Sequence, residues 1–360
     1  MPAAAAAIDG RTFNNLFILS PLAVAHMTLP APSSPPLAGR RAFLAALATL
    51  PLGGCLSLGG GLVARAGGAA SDAGLTLNVV TTRRIAGGGD ASPFFGPGRA
   101  AATMFARAQI ATPDASGIGR ITALVASDYA VAGIRPHEGE AGPAFAEALR
   151  GRDTLLFVHG YNQTFENAAV DAVALARGIG FSGNMALFSW ASKGGLLDYG
   201  YDRESAMIAR DALADAMASV LGDPFGARLH LVAHSMGTLA LLEALRVWRD
   251  RYRDVGIDRI GAVVLASPDI DIDVFKANIG RLGPVRDKMT VITATSDRAL
   301  DVSRRLAGGD RVGALPRAAL ADLGIRVVDA TDFASGLVRH DAFLSSADVR
   351  AVVRRAVERA

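Results

Sequence analysis

The sequence predicts an α/β fold in which helices cover both faces of a mostly parallel central sheet. Two observations carry that prediction. Short, continuous apolar runs recur along the chain with helical patterns between them, the mark of strands buried on both faces. One such run, Leu229-His230-Leu231-Val232-Ala233, breaks at His234-Ser235-Met236-Gly237 and passes into a helical pattern over 239–252. A chain of 360 residues that is 51% apolar and 20% charged can fill a large core and is too apolar for wholesale disorder. The net charge of +3 comes from scattered arginines with only 6% aromatics, so nucleic-acid binding has no support.

Taken in order, residues 40–55 come first. Arg40-Arg41-Ala42-Phe43-Leu44 opens an apolar run that ends in Leu52-Gly53-Gly54-Cys55. A basic pair, a short apolar stretch and small residues are the parts of an export signal, and the run is too short to cross a bilayer as a helix. Arg-Arg-x-Phe-Leu resembles a twin-arginine signal, and Leu-Gly-Gly-Cys a bacterial lipobox whose cysteine carries lipid. Cys55, the single cysteine, excludes an internal disulfide and any multi-cysteine metal site. We therefore expect an export signal over 1–54, with translation starting at Met27, and a Gly/Ala-rich tether over 55–72. The expected location is the bacterial envelope or periplasm, lipid-anchored at Cys55.

Residues 73–142 read as an N-terminal extension, with a strand over 75–82, loop over 87–98 and weak periodicity beyond. From 143 to 360 the pattern sharpens into the core. Helices are expected over 144–150, 165–177, 204–221, 239–252 and 347–358, with strands over 154–158, 185–189, 229–233, 262–265, 290–294 and 326–329. No repeat, P-loop or dinucleotide fingerprint interrupts this pattern.

The chemistry belongs at the carboxyl ends of such strands. Ser235 stands on a strand–turn–helix elbow, flanked two residues away by Ala233 and Gly237, small enough for so tight a turn. A serine hydroxyl becomes nucleophilic only when a base takes its proton and a third group orients the base. On an elbow of this kind the partners follow in the order serine, acid, histidine. Of the six histidines only His340 follows Ser235, which selects it as the base. For the acid, Asp297 follows the strand over 290–294 and is favoured. Asp269 is the runner-up, and Asp271, Asp329 and Asp332 also follow strands. Backbone N–H groups must hold the oxyanion. Met236 supplies one, and Tyr161, in His159-Gly160-Tyr161-Asn162, the second. Gly160 allows close approach, His159 is structural there, and Asn162 braces the loop. Leu196, Leu197, Phe275 and Ile279 are expected to line the pocket. No metal constellation or cofactor motif is present in the sequence.

Several segments in this order resemble a bacterial alpha/beta-hydrolase family of unknown function within the esterase/lipase superfamily. They are Phe157-Val158-His159-Gly160-Tyr161-Asn162, Phe188-Ser189-Trp190-Ala191-Ser192, Tyr201-Asp202-Arg203-Glu204-Ser205 and Ala233-His234-Ser235-Met236-Gly237. Ala266-Ser267-Pro268-Asp269-Ile270-Asp271, Ser296-Asp297-Arg298-Ala299-Leu300, Arg311-Val312-Gly313 and the His340 segment complete the set. Ala191 departs from the family, where proline usually follows the tryptophan. The resemblance implies a serine–aspartate–histidine core and supports Ser235, Asp297 and His340. The expected function is cleavage of a small-molecule carboxylic ester through an acyl-enzyme. Acyl transfer by the same triad, or a non-catalytic envelope lipoprotein that uses this fold for binding, are the alternatives. Oligomeric state is not encoded in any motif found.

Overall fold

The computed structural model describes residues 74–86, 92–112, 129–137, 141–195, 197–332 and 346–360. The expected export signal, the tether with Cys55, Leu196 and His340 lie outside the described residues.

The strands are β1 (Leu75–Ile85), β2 (Phe95–Ala111), β3 (Ala130–Pro136), β4 (Thr154–Val158), β5 (Asn184–Ser189), β6 (Leu229–His234), β7 (Ile260–Ala266), β8 (Met289–Thr293) and β9 (Arg326–Asp329). Among the described residues they form one sheet in the order β3-β2-β1-β5-β4-β6-β7-β8-β9. From β1 to β9 every pairing is parallel; β2 and β3 add an antiparallel edge. The helices are α1 (Ala141–Ala148), α2 (Phe165–Gly178), α3 (Tyr199–Gly222), α4 (Gly237–Tyr252), α5 (Ile272–Ile279), α6 (Arg298–Ala307) and α7 (Ala347–Glu358).

Consecutive strand residues point to opposite faces, and here both faces are covered. Val79, Phe157 and Val232 join one core with Phe165 and Val173 of α2 and Val353 of α7. Val80, Val158 and Ala233 join the other with Leu213 of α3, Leu241 and Trp248 of α4, and Phe275 of α5. That two-sided burial is why the strands read as unbroken apolar runs.

Three expectations need correction. Residues 95–98, read as loop, begin β2, whose mostly half-buried first half carries no alternating signal. Helix α3 starts at Tyr199, ahead of the expected 204, because Tyr199 is packed inside and hydrogen-bonded there. Phe275 and Ile279, expected at the pocket, are packed in the core at 0% and 3% exposed, whereas Leu197 is fully exposed.

Candidate active site

Strand β6 ends at His234, and the chain turns through Ser235 and Met236 directly into α4. Ser235 has φ 51°, a left-handed conformation that costs a non-glycine residue energy. Its surroundings over-determine the strained turn. The Ser235 N–H donates to the Ala266 carbonyl (2.9 Å), and the Ser235 carbonyl accepts from the Thr238 and Asp269 amides (3.0 and 3.3 Å). Ala233 sits in register between Val158 and Leu265 and is fully buried. At Gly237 the helix runs against β4, where a Cβ would lie 2.2 Å from the His159 carbonyl oxygen. Backbone contact therefore leaves no room for a side chain at Gly237. Met236 is buried at the start of α4, so its amide lies where the helix N-terminus favours negative charge.

The loop after β4 passes beside this elbow. A Cβ on Gly160 would lie 3.0 Å from the Ser235 Cβ and 3.2 Å from the His234 carbonyl oxygen, so the bare glycine lets the two segments pack closely. His159 is completely buried, stacked on Trp190 with ring centroids 4.8 Å apart. Burial, reinforced by the Arg83 cation, pushes its pKa down to about 3, so the ring is neutral. The Trp190 indole N–H donates to the His159 carbonyl (2.9 Å). Asn162 braces the loop through its backbone: φ is 58°, and its N–H donates to Asp202 Oδ2 (3.4 Å). The Tyr161 hydroxyl donates to the Gly195 carbonyl (2.9 Å), joining this loop to the one after β5.

Two buried networks frame the site. In the first, Arg83 Nε donates to Ser189 Oγ (2.9 Å), Nη1 to the Ser192 carbonyl (2.8 Å) and Nη2 to the Gln163 carbonyl (2.7 Å). Ser192 Oγ donates to Asp202, which also accepts the Lys193 amide (2.8 Å). Burial raises the Asp202 pKa and lowers that of Arg83 to about 10, while attraction between the two opposes both shifts. In the second, Asp269 accepts from Tyr199 Oη (3.1 Å) and from Ser303 Oγ, and lies 3.5 Å from Arg311 Nε. Burial and the Asp269 charge push the Tyr199 hydroxyl up to about 12.

The carboxylates are thereby sorted. Asp269 is held by Tyr199, Ser303 and Arg311. Asp271 caps α5, accepting from the Asp273 and Val274 amides (2.9 and 3.3 Å). Asp329 and Asp332 are exposed. Asp297 is 1% exposed beyond the carboxyl end of β8, with Oδ1 accepting from the Ala299 and Leu300 amides at the start of α6 (3.0 and 3.3 Å). Of the histidines, His159 has both ring nitrogens engaged. His230 lies near the amino end of β6, where Nδ1 accepts the Ala262 amide (3.1 Å).

Sequence reasoning missed Arg83 and gave Asp202 no role beyond a motif. Strand alternation could not have found Arg83, because residues 77–81 are buried whichever face they point to.

A family model described as alpha/beta hydrolase of unknown function (DUF900) matches residues 140–356. No curated protein matches the chain. Among solved structures, lipase B of Aspergillus fumigatus is similar with a TM-score of 0.36 and 13% identity, over 62% of this chain and 59% of that one. Dienelactone hydrolase from Anabaena variabilis gives a TM-score of 0.36 at 12% identity, over 71% of this chain and 92% of that one. Est1E from Butyrivibrio proteoclasticus gives 0.35 at 12%, over 71% and 96%.

Proposed function

We infer that this chain, which belongs to the alpha/beta-hydrolase family of unknown function, is a serine hydrolase that cleaves small-molecule carboxylic esters through an acyl-enzyme. The observation that carries the reading is the left-handed Ser235 on a strand–helix elbow, pressed against Gly160 at the carboxyl end of the sheet. A serine strained into this position, beside a helix N-terminus at the carboxyl end of the sheet, is placed as a nucleophile's hydroxyl would need to be.

In the proposed reaction Ser235 Oγ attacks the ester carbonyl carbon while His340 takes the hydroxyl proton. The amides of Met236 and Tyr161 hold the oxyanion of the tetrahedral intermediate. Collapse expels the alcohol, which leaves with the proton from His340, and the acyl group stays on Ser235. Water, activated by His340, then attacks the acyl-enzyme and frees the acid. His340 is chosen by chain order, and its segment leaves β9, the strand beside β8 that leads to Asp297. Asp297 is preferred over Asp269 because Asp269 already serves Arg311, Tyr199 and Ser303.

Turnover of a graded series of p-nitrophenyl esters by the full chain tests the reading. Hydrolysis lost in Ser235→Ala and in His340→Ala supports it; hydrolysis retained in Ser235→Ala excludes it. We also propose, from the residues of 40–55, that the chain is attached to the envelope by lipid on Cys55. A mature N-terminus at Cys55 with added acyl mass would support this, and an unmodified cysteine in membrane-free protein would exclude it.

A further inference from the structure

The amide assigned to the oxyanion belongs to the peptide between Gly160 and Tyr161. Its orientation depends on what holds the Gly160 carbonyl, because a planar trans peptide points its C=O and N–H in opposite directions. His159 Nδ1 lies 2.8 Å from that carbonyl oxygen. The other ring nitrogen, Nε2, lies 3.2 Å from the Trp190 carbonyl oxygen. Both carbonyls are acceptors, yet a neutral imidazole has one proton to give. If the proton sat on Nε2, the Nδ1 lone pair would face the Gly160 oxygen at hydrogen-bond distance, and the peptide would be driven to rotate.

Arg83 decides between the two. Its Nη2 is 3.5 Å from His159 Nε2. A guanidinium has only donors, so it favours a lone pair on the atom it faces and opposes an N–H there. Ser189 acts in the same sense. Its Oγ accepts from Arg83 Nε (2.9 Å), which leaves its hydrogen free to turn to Nε2, 3.4 Å away. The same cation disfavours a second proton on the ring, leaving one proton to be allocated.

We propose that Arg83 is a positioning residue that fixes the tautomer of His159, so that Nδ1–H grips the Gly160 carbonyl and the Tyr161 N–H is turned out toward the nucleophile. The relay runs from a strand outside the family-matched region into the catalytic loop: Arg83, the ring of His159, the Gly160 carbonyl, the Tyr161 amide. Arg83 also holds the far end of that loop through the Gln163 carbonyl, and Asp202 holds its middle through the Asn162 amide. The loop is thus held on both sides of the donor peptide. The tautomer claim is independent of the serine-hydrolase reading; its kinetic consequence rests on that reading.

The test is nitrogen NMR of the full chain labelled with 15N-histidine, with His159 assigned by the signal absent in His159→Gln. The expected wild-type spectrum at neutral pH shows His159 protonated at Nδ1 and bare at Nε2. In Arg83→Met the proton moves to Nε2, and kcat for an ester falls about 10²-fold, the scale of one lost oxyanion donor, with KM unchanged. Arg83→Lys keeps a cation and retains the Nδ1–H tautomer with a smaller loss. A wild-type ring protonated at Nε2, or at both nitrogens, overturns the proposal whether or not any variant folds. So does Arg83→Met with an unchanged tautomer and wild-type kcat. An Nδ1–H ring in a chain without ester turnover upholds the tautomer and overturns the hydrolase reading.

Discussion

Gly237→Ala puts one methyl group where the Ser235 turn meets β4. The added Cβ would lie 2.2 Å from the His159 carbonyl oxygen, 2.7 Å from that of Val158 and 3.0 Å from the His159 carbonyl carbon. Carbon–oxygen contacts become comfortable at about 3.3 Å, so the elbow and β4 must part by about 1 Å. Neither side yields easily: the obstacles are backbone atoms at the end of a central strand, flanked by β5 and β6. Overpacking of this kind costs about 1–3 kcal/mol. The displacement also carries Ser235, two residues away, off its register with the Gly160 loop, and a shift of about 1 Å at a reacting group costs about 10²-fold in rate. Urea midpoints and ester kcat/KM measure the two effects together. Gly280→Ala is the control, because its Cβ would meet only the Lys276 carbonyl oxygen at an ordinary 3.6 Å, and it leaves rate and midpoint at wild-type values. A Gly237→Ala protein with wild-type midpoint and a rate within about twofold of wild type would refute the contact reasoning.

Ser235→Gly and Ser235→Ala both abolish turnover, but the glycine variant is more stable by about 1 kcal/mol, because φ 51° strains any side chain; equal urea midpoints would contradict this. Asp269→Ala leaves Arg311 buried without its carboxylate and lowers stability by about 3–5 kcal/mol. Asp297→Asn keeps the cap of α6, unfolds near the wild-type midpoint and lowers kcat by about 10⁴-fold; the reverse pattern would exchange their roles. Burial and Arg83 hold His159 at about 3 when folded, against 6.5 when free. As pH falls below 6.5 the unfolded chain therefore takes up the proton first, and stability drops by up to about 1.4 kcal/mol per pH unit until the folded pKa is reached. His159→Gln flattens the urea midpoint against pH over that window, and parallel curves for the two proteins would contradict the shift.

The central parallel strands were legible because burial on two faces leaves an unbroken apolar run, and β4 falls on the residues expected; β9 does too, although this edge strand is exposed at both ends. Strand β2 was hidden because its first half is mostly half-buried without alternation and carries Gly96, Pro97 and Gly98. The start of α3 was hidden because Tyr199, Gly200 and Tyr201 are poor helix formers, overridden by the hydrogen bonds of Tyr199 to Asp269 and Ser303. The elbow could be read locally, since its strand, turn and helix are contiguous. Arg83 could not: its partners Gln163, Ser189 and Ser192 lie 80, 106 and 109 residues away, and only the fold brings them to it. The choice between Asp269 and Asp297 was open for the same reason. Sequence order allows both, and the contacts of Asp269 with Arg311, Tyr199 and Ser303 are what favour Asp297 in the proposed function.

The central claim is that Ser235 is an activated nucleophile. A fluorophosphonate probe applied to the purified full chain, with Ser235→Ala beside it, tests that most directly once the labelled peptide is identified by mass spectrometry. The account predicts one adduct, on Ser235, absent from the alanine variant. A folded wild-type chain that takes up no probe, or takes it up at another residue, would contradict it.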